Sequence, residues 1–447
     1  MKILFTPAGD TDPVRGFRDG AILHILRHYG PMEKVYLFLT KQMEEKEKEE
    51  HCYTRGILQV SPGCDIHLLA SGIEEPQKYE TLTALQDAFY KAYAEYPDAE
   101  WYLNISSGTP QIKTIMTLLG MDYPKAHTIQ VATPEKGSNK RNHPEETKDL
   151  IEMLGENEDN DPESPNRCSE PDLSLLKKHG LILQITSLVG SFEYEAALHL
   201  VRQNRSLFTK DTEKLLTHAV YRENLQWKKA NQVMTSWKGN ILLQSPDDFT
   251  EYFQVMELRQ RKNQLPEFIV KTSPILTALG MKYLKELPSF DLERLREQKR
   301  EGRKQTKEFR ISRKETKRAY PGLLAFLESE ETTLKGSLRD DPLYFGIMVY
   351  ICKWLKNGPL SNNKKHLELT DIFVPLRKVE KNARNSVAHT ITNLTEEQLK
   401  KETGMNSTEI LRLLRRAAFL VRGKEIPRSY DRLNGFIRES LSENPES

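Results

Sequence analysis

The sequence predicts an α/β fold for roughly its first third and an all-α fold for the rest. Up to about residue 150, short continuous apolar runs alternate with stretches of three-to-four-residue apolar spacing. After Asp172 the runs disappear and only the helical spacing continues. An acidic, proline-containing stretch, 156–172, falls at the change.

The elements follow in order. Lys2–Phe5 is the first run and stops at the turn-rich Thr6-Pro7-Ala8-Gly9-Asp10. Gly16–Tyr29 carries Phe17, Ala21, Ile22, Ile25 and Leu26 at helical spacing. Lys34–Leu39 reads as a second strand ending at Thr40. Ile66–Leu69 reads as a third, followed by a helix through Leu82, Leu85, Phe89 and Tyr93. Trp101–Ile105 is a fourth, ending in Ser106-Ser107-Gly108-Thr109, and Thr128–Ala132 a fifth, ending at Thr133. Continuous apolar strands separated by helices imply a parallel sheet covered on both faces. Residues 1–155 are therefore expected to form a Rossmann-like domain.

The charged run 41–51 reads as a solvated helix or loop. Stretch 156–172 holds seven acidic residues, one arginine and three prolines, and reads as a linker or disordered loop. Beyond it, Leu173–Gly190, Glu193–Gln203 and Lys210–Gln232 show helical spacing and make 173–265 a helical connector. The pattern stays helical from Phe268 to the end, so 266–447 reads as a second helical unit. Thr395-x-x-Gln398 and Asn406-x-x-Glu409 have the form of capping boxes, and Ile410, Leu414, Ala417 and Val421 share one helix face.

Composition removes several functional classes. No run of the 447 residues approaches the ~18 apolar residues of a membrane span. The Met1-Lys2-Ile3-Leu4 start has no secretory core, which predicts a cytoplasmic protein. The four cysteines, Cys52, Cys64, Cys168 and Cys352, form no CxxC, against a disulfide framework or zinc ribbon. Lys+Arg 66 against Asp+Glu 64 does not by itself mark a nucleic-acid binder.

Ligands of an open parallel sheet bind beyond the carboxyl ends of its strands. Those ends carry Thr6, Ala8, Gly9, Asp10, Thr11 and Asp12, then Thr40, then Asn104, Ser106, Ser107, Gly108, Thr109 and Gln111, then Thr133. Thr109 before Pro110 has the form of an N-cap with proline at the first helical position. Gly108 lets the backbone approach a ligand, and a helix start attracts phosphate. The set lacks GxGxxG and a Walker lysine, so neither a dinucleotide site nor an NTPase is expected. Ordinary turns and caps would use the same residue types.

In the helical half, Pro375–Ile391 is a helix candidate with Leu376, Val379, Ala383 and Val387 on its apolar side. Asn385 and His389 are four apart and share a face, with Arg384 at its shoulder. Histidine near neutrality can move protons at a ribose 2′-hydroxyl or a leaving 5′-oxygen. Arginine can grip the phosphate and stabilise its developing charge. Such a pair cleaves RNA without a metal. About two Arg-x4–6-His matches are expected by chance, and two occur; Arg18-x5-His24 reads as structural. No HExxH, no GxSxG and no His–Cys or His–Asp ligand spacing is present, so no metal is expected. Stretch 291–318, with twelve Lys/Arg and six Asp/Glu, reads as a mixed-charge helix face or an RNA-guiding surface, with Phe309 and Tyr320 as possible base platforms.

Taken together, the Ser106-Ser107-Gly108-Thr109-Pro110-Gln111 turn after the fourth strand, the helical connector and the Arg384-Asn385-x3-His389 helix resemble the CARF–HEPN ribonucleases of type III-A CRISPR systems, in their streptococcal and enterococcal branch. The resemblance spans the chain and is most specific at 384–389. It implies a cyclic-oligoadenylate sensor joined to a single-strand RNA nuclease. Arg384 and His389 would be the catalytic pair and Asn385 a supporting residue. The loops at 6–12 and 104–111 would bind the activator, with Thr40 and Thr133 at the edges. It further implies a homodimer, whose two-fold axis suits a ring activator, with no stable tie to the CRISPR effector complex. Many relatives carry Gly-Gly-Thr or Thr-Gly-Gly where this chain has Ser-Ser-Gly-Thr. The resembling branch favours cyclic hexa-adenylate over the tetra-adenylate. Slow cleavage of the bound ring by the sheet domain is a further expectation. Two other readings stay open: a nucleotide-sensing regulator whose helical half binds DNA, and a toxin-like ribonuclease with no nucleotide activator.

Overall fold

The computed structural model describes residues 1–123, 125–134, 150–235, 247–296, 309–330, 339–383 and 394–444. It divides into two compact units, Met1–Lys178 and His179–Ser447.

The first unit is built on a six-stranded sheet. Its strands are β1 (Lys2–Pro7), β4 (Lys34–Leu39), β5 (Asp65–Ala70), β6 (Glu100–Asn104), β7 (Ala126–Val131) and β8 (Cys168–Ser169), in the order β5-β4-β1-β6-β7-β8. The first five are mutually parallel; β8 pairs antiparallel with β7. Alternate side chains of β1 enter different cores. Leu4 packs with Ile22, Leu26 and Tyr53, whereas Ile3 and Phe5 pack with Phe89, Trp101 and Met116. Burial on both faces is why the run is continuously apolar. Helices α1 (Ala21–Tyr29), α2 (Lys41–Glu50), α3 (Cys52–Val60), α4 (Thr83–Glu95) and α5 (Pro110–Asp122) complete the unit's main elements.

Three local readings change. The stretch before α1 is a two-stranded hairpin, β2 (Val14–Arg15) and β3 (Arg18–Asp19), so the helix starts later than Gly16. The charged run is helical, as its mixed charge allows, but Met43 and Glu47 are buried. Glu47 turns back to accept from Tyr53 N–H at 2.8 Å and Thr54 N–H at 3.3 Å, capping α3.

The expected linker 156–172 is instead part of the sheet unit. Asp159 has a fully buried side chain and accepts from Asp19 N–H at 2.8 Å, Arg167 Nη2 at 2.7 Å and Arg18 Nη1 at 3.3 Å. Asn157 donates to Asp19 Oδ1 at 2.7 Å, and Arg167 N–H to His24 Nε2 at 2.9 Å. The segment then ends as β8. Its acidity is matched by arginines that lie 141 positions away or within the segment itself, which composition alone does not reveal.

Among the described residues the regular structure of the second unit is helical, apart from a short pairing of Arg310–Ser312 with Arg339–Pro342. The connector and the C-terminal region share a helix, Asp248–Arg261, that is buried on both sides. Phe253 and Met256 join a core with Phe268, Phe345, Phe373 and Leu414, while Val255 and Leu258 join one with Tyr194, Leu216, Leu433 and Ile437. The last helix, Ser429–Leu441, therefore completes the connector's core. Both expected capping boxes are present, at Thr395/Gln398 and Asn406/Glu409. No helix among the described residues is long and apolar enough to cross a membrane.

Candidate functional site

Successive connections leave β1 on opposite sides: β4 lies on one, β6 on the other. The sheet order thus reverses between β1 and β6, where loops 7–12 and 104–109 leave the strands. The two loops touch through backbone. A Cβ on Gly9 would lie 2.9 Å from Gly108 N, and Gly108 itself has φ +84° with Ile112 Cγ2 2.9 Å from where its Cβ would be. Only glycine suits either position.

Buried polar groups hold the floor. Asn104 Nδ2 donates to Thr6 Oγ1 at 2.9 Å and Ser107 Oγ at 2.8 Å, while its Oδ1 accepts from Ser106 N–H at 2.8 Å. Ser106 Oγ accepts from Val131 N–H at 2.7 Å and ties in the end of β7, beyond which Thr133 is exposed. Thr109 caps α5, accepting from Ile112 N–H at 3.3 Å and donating to Pro76 O at 2.9 Å. Pro110 has no N–H and Thr109 takes those of Ile112 and Lys113, so the Gln111 N–H and the helix dipole are what that first turn offers an anion. Gln111 holds its Oε1 away from solvent with no hydrogen-bond partner. Thr6, Ala8, Gly9, Asp12, Thr40, Asn104 and Ser107 are buried; Asp10 and Thr11 are exposed. The predicted set is therefore brought together, but several of its side chains are already satisfied within the protein.

Lys46 escaped the sequence reading. It sits on α2 with its Nζ 5.6 Å from the Tyr53 ring centre, and Tyr53 Oη lies 3.5 Å from Gly9 O. Its charge also reaches Asp12, whose carboxyl is pushed up by burial and held back in part by this ammonium. Nothing in a mixed-charge run marks one lysine; only the packing of α2 on α3, which sets Lys46 over Tyr53, does.

Asp19, His24 and Asp159 bring their ligand atoms within 4.8 Å of one another. Arg27 Nε, 2.7 Å from Asp19, and the Arg18 and Arg167 contacts already described neutralise those carboxylates. The group is an ion-pair network. His24 is structural in it, as its place in the first helix suggested.

In the helical unit, the expected Pro375–Ile391 helix begins earlier, at Lys364. Asn363 caps it by accepting from His366 N–H at 3.0 Å, and Leu369, Ile372, Phe373 and Leu376 are buried. That cap and apolar stripe outweigh the cost of Pro375 inside the helix, about 3 kcal/mol. The helix passes into a π turn, Val379–Ala383, where Asn382 Nδ2 donates to Glu402 O at 3.1 Å. Arg384, Asn385 and His389 lie outside the described residues. Phe309 is buried, and Tyr320 stacks on Phe290 at 5.0 Å while its hydroxyl accepts from Asp291 N–H at 2.9 Å. Packing occupies both rings, so neither is a base platform; of the basic stretch, 297–308 also lies outside the described residues.

Comparison with known proteins supplies the class. The Csm6 CARF domain model matches residues 65–168, the Csm6 6H domain model 171–223 and the Csm6 HEPN domain model 238–438. This is the CARF–HEPN architecture: a sheet domain followed by a helical domain. The CRISPR system endoribonuclease Csm6 of Mycobacterium tuberculosis is 26% identical over 460 residues, 99% of each chain. That of Enterococcus italicus is 30% identical over 299 residues, 64% of this chain and 67% of its own. A solved structure, Enterococcus italicus Csm6 bound to cyclic hexa-2'-fluoro-hexa-dAMP, matches with TM-score 0.63 and 25% identity over 98% of this chain and 99% of that one. The chain belongs to the Csm6 family of CRISPR endoribonucleases.

Proposed function

We propose that this chain is a cytoplasmic, homodimeric ribonuclease that a cyclic oligoadenylate switches on, cyclic hexa-adenylate rather than the tetra-adenylate. The observation that carries the reading is the crevice between β1 and β6. There, hydroxyls, amides and the start of α5 converge at the switch point of a Csm6-family sheet. The solved relative's cyclic hexanucleotide analogue supports the choice of ring. Residues 1–155 sense, with 156–172 closing that unit; 173–265 connect, and 266–447 cleave.

The loops 6–12 and 104–111 bind the ring, with Thr40 and Thr133 at the rim. Binding shifts the dimer to a state in which two copies of the Arg384/His389 segment align with single-stranded RNA. His389 takes the proton of the 2′-hydroxyl, O2′ attacks phosphorus as the P–O5′ bond breaks, and the departing 5′-oxygen takes up a proton from water, so one product ends in 2′,3′-cyclic phosphate and the other in a 5′-hydroxyl. Arg384 stabilises charge on the phosphate oxygens, and Asn385 supports it. The chemistry asks for no metal. The hydroxyls and amides of the crevice also favour slow cleavage of the ring itself; recovering the ring intact after long incubation overturns that part.

The test is cleavage of labelled single-stranded RNA in EDTA, with and without cyclic hexa-adenylate, for wild type and His389→Ala. The expected result is cleavage only with the ring, lost by about 10²-fold or more in the variant. Cleavage without any ring identifies an unregulated ribonuclease. No cleavage under any condition returns the chain to a ligand-sensing role without nuclease.

A further inference from the structure

Asp12 belongs to the loop that would receive an anionic ring, yet it is an acid. Its position resolves the conflict. It is 1% exposed, and two backbone donors converge on its carboxylate. Oδ2 accepts from Gly9 N–H at 3.1 Å and Oδ1 from Ile22 N–H in the first turn of α1 at 3.1 Å, while Ser107 of the opposite loop packs on the same Gly9, its Cβ 3.6 Å from where a Gly9 Cβ would lie. Its own N–H returns to Gly9 O at 3.0 Å. The slot is full: a Cβ on Gly20 would lie 2.6 Å from Oδ1, and one on Gly9 3.4 Å from Oδ2.

We propose that Asp12 is a positioning residue, which binds the 7–12 loop to α1 and so holds Gly9 against Gly108 and fixes the separation of the two ligand-facing backbones without touching the ligand. The inference rests on the crevice being the cyclic-oligoadenylate site. A carboxylate suits the task because both of its backbone neighbours donate. Asparagine has one acceptor oxygen, and its NH2 would be turned against a backbone N–H. Were the acid facing the phosphates instead, neutralising it would remove a repulsion and tighten binding.

The experiment titrates the full-length protein with cyclic hexa-adenylate and follows RNA cleavage for wild type, Asp12→Asn and Ser107→Ala. The expected result is a half-activating concentration raised by about tenfold in Asp12→Asn, the cost of one buried hydrogen bond to a charged group. The saturating rate changes far less. Ser107→Ala leaves both backbone donors of Asp12 in place and gives a smaller rise, through the lost Asn104 bond. Equal or tighter activation in Asp12→Asn overturns the proposal. If that variant does not melt cooperatively, Asp12→Glu, which keeps the charge but cannot seat its longer side chain in the filled slot, decides, and an unchanged value there overturns it. Wild type that no ring activates overturns the ligand reading and this proposal with it. A responsive wild type beside an unaffected variant overturns only the role of Asp12.

Discussion

Asn104 and Thr6 meet at the reversal of the sheet: one amide N–H of Asn104 reaches Thr6 Oγ1 on β1 at 2.9 Å, and the other reaches Ser107 Oγ at 2.8 Å. Asn104 and Thr6 are wholly buried, and Ser107 is nearly so. Asn104→Ala takes a donor from each of two buried hydroxyls and the acceptor from Ser106 N–H, and is expected to cost about 2 kcal/mol. Urea denaturation measures it, and an unchanged midpoint contradicts the account. The same variant should need more ring for activation, because the 104–109 loop loses its anchor.

Lys46 provides a cation beside the 7–12 loop. Lys46→Glu reverses its sign and should raise the half-activating ring concentration by about tenfold at low salt, and less at high salt. Lys46→Arg keeps the charge and most of the response. Titrations at two ionic strengths check both statements.

Asp159 holds the 157–168 segment on the sheet unit through Asp19, Arg18 and Arg167. Asp159→Ala leaves the buried Asp19 N–H without its acceptor and takes the carboxylate from Arg167, whose guanidinium keeps only carbonyl and imidazole contacts, a loss of about 3 kcal/mol. Limited proteolysis should then cut between 157 and 168, a segment that wild type protects.

Arg222 and Glu251 form a buried pair at 2.9 Å on both bonds, with Ser429 accepting from the same guanidinium at 2.7 Å. The pair joins the connector, the shared helix and the last helix. Arg222→Ala should destabilise the helical unit by about 3–5 kcal/mol. Calorimetry should show one shifted transition for that unit, since its two cores meet on a single helix.

His366 donates from Nε2 to Cys352 O at 2.9 Å and accepts at Nδ1 from Tyr283 Oη at 2.7 Å. Burial holds its pKa below the ordinary 6.5, so the folded state keeps the ring neutral. The unfolded chain takes up a proton first as pH falls. The contribution is therefore complete above 6.5 and is lost progressively below it, down to the folded pKa. Melting temperature should drop more for wild type than for His366→Gln between pH 7.5 and 5.5.

The sequence by itself determined what depends on neighbours along the chain. Continuous apolar runs and period-3.6 spacing placed the five parallel strands and most helices, because those patterns record which side chains leave water. Capping boxes at Thr395 and Asn406 were legible for the same reason: donor and acceptor are three residues apart. The loops at 6–12 and 104–109 were legible as strand ends, and the sheet brought them together. Tertiary structure alone decided the rest. Asp12 and Asn104 became buried supports, Lys46 came to lie over the Tyr53 ring, and an acidic stretch became the closing edge of the sheet unit. Each of these turns on a polar partner distant in sequence or on the packing of one element against another. A charge pattern read along the chain cannot show whether its counter-charge arrives from 141 residues away, and it is that arrival that makes burial of a polar side chain affordable.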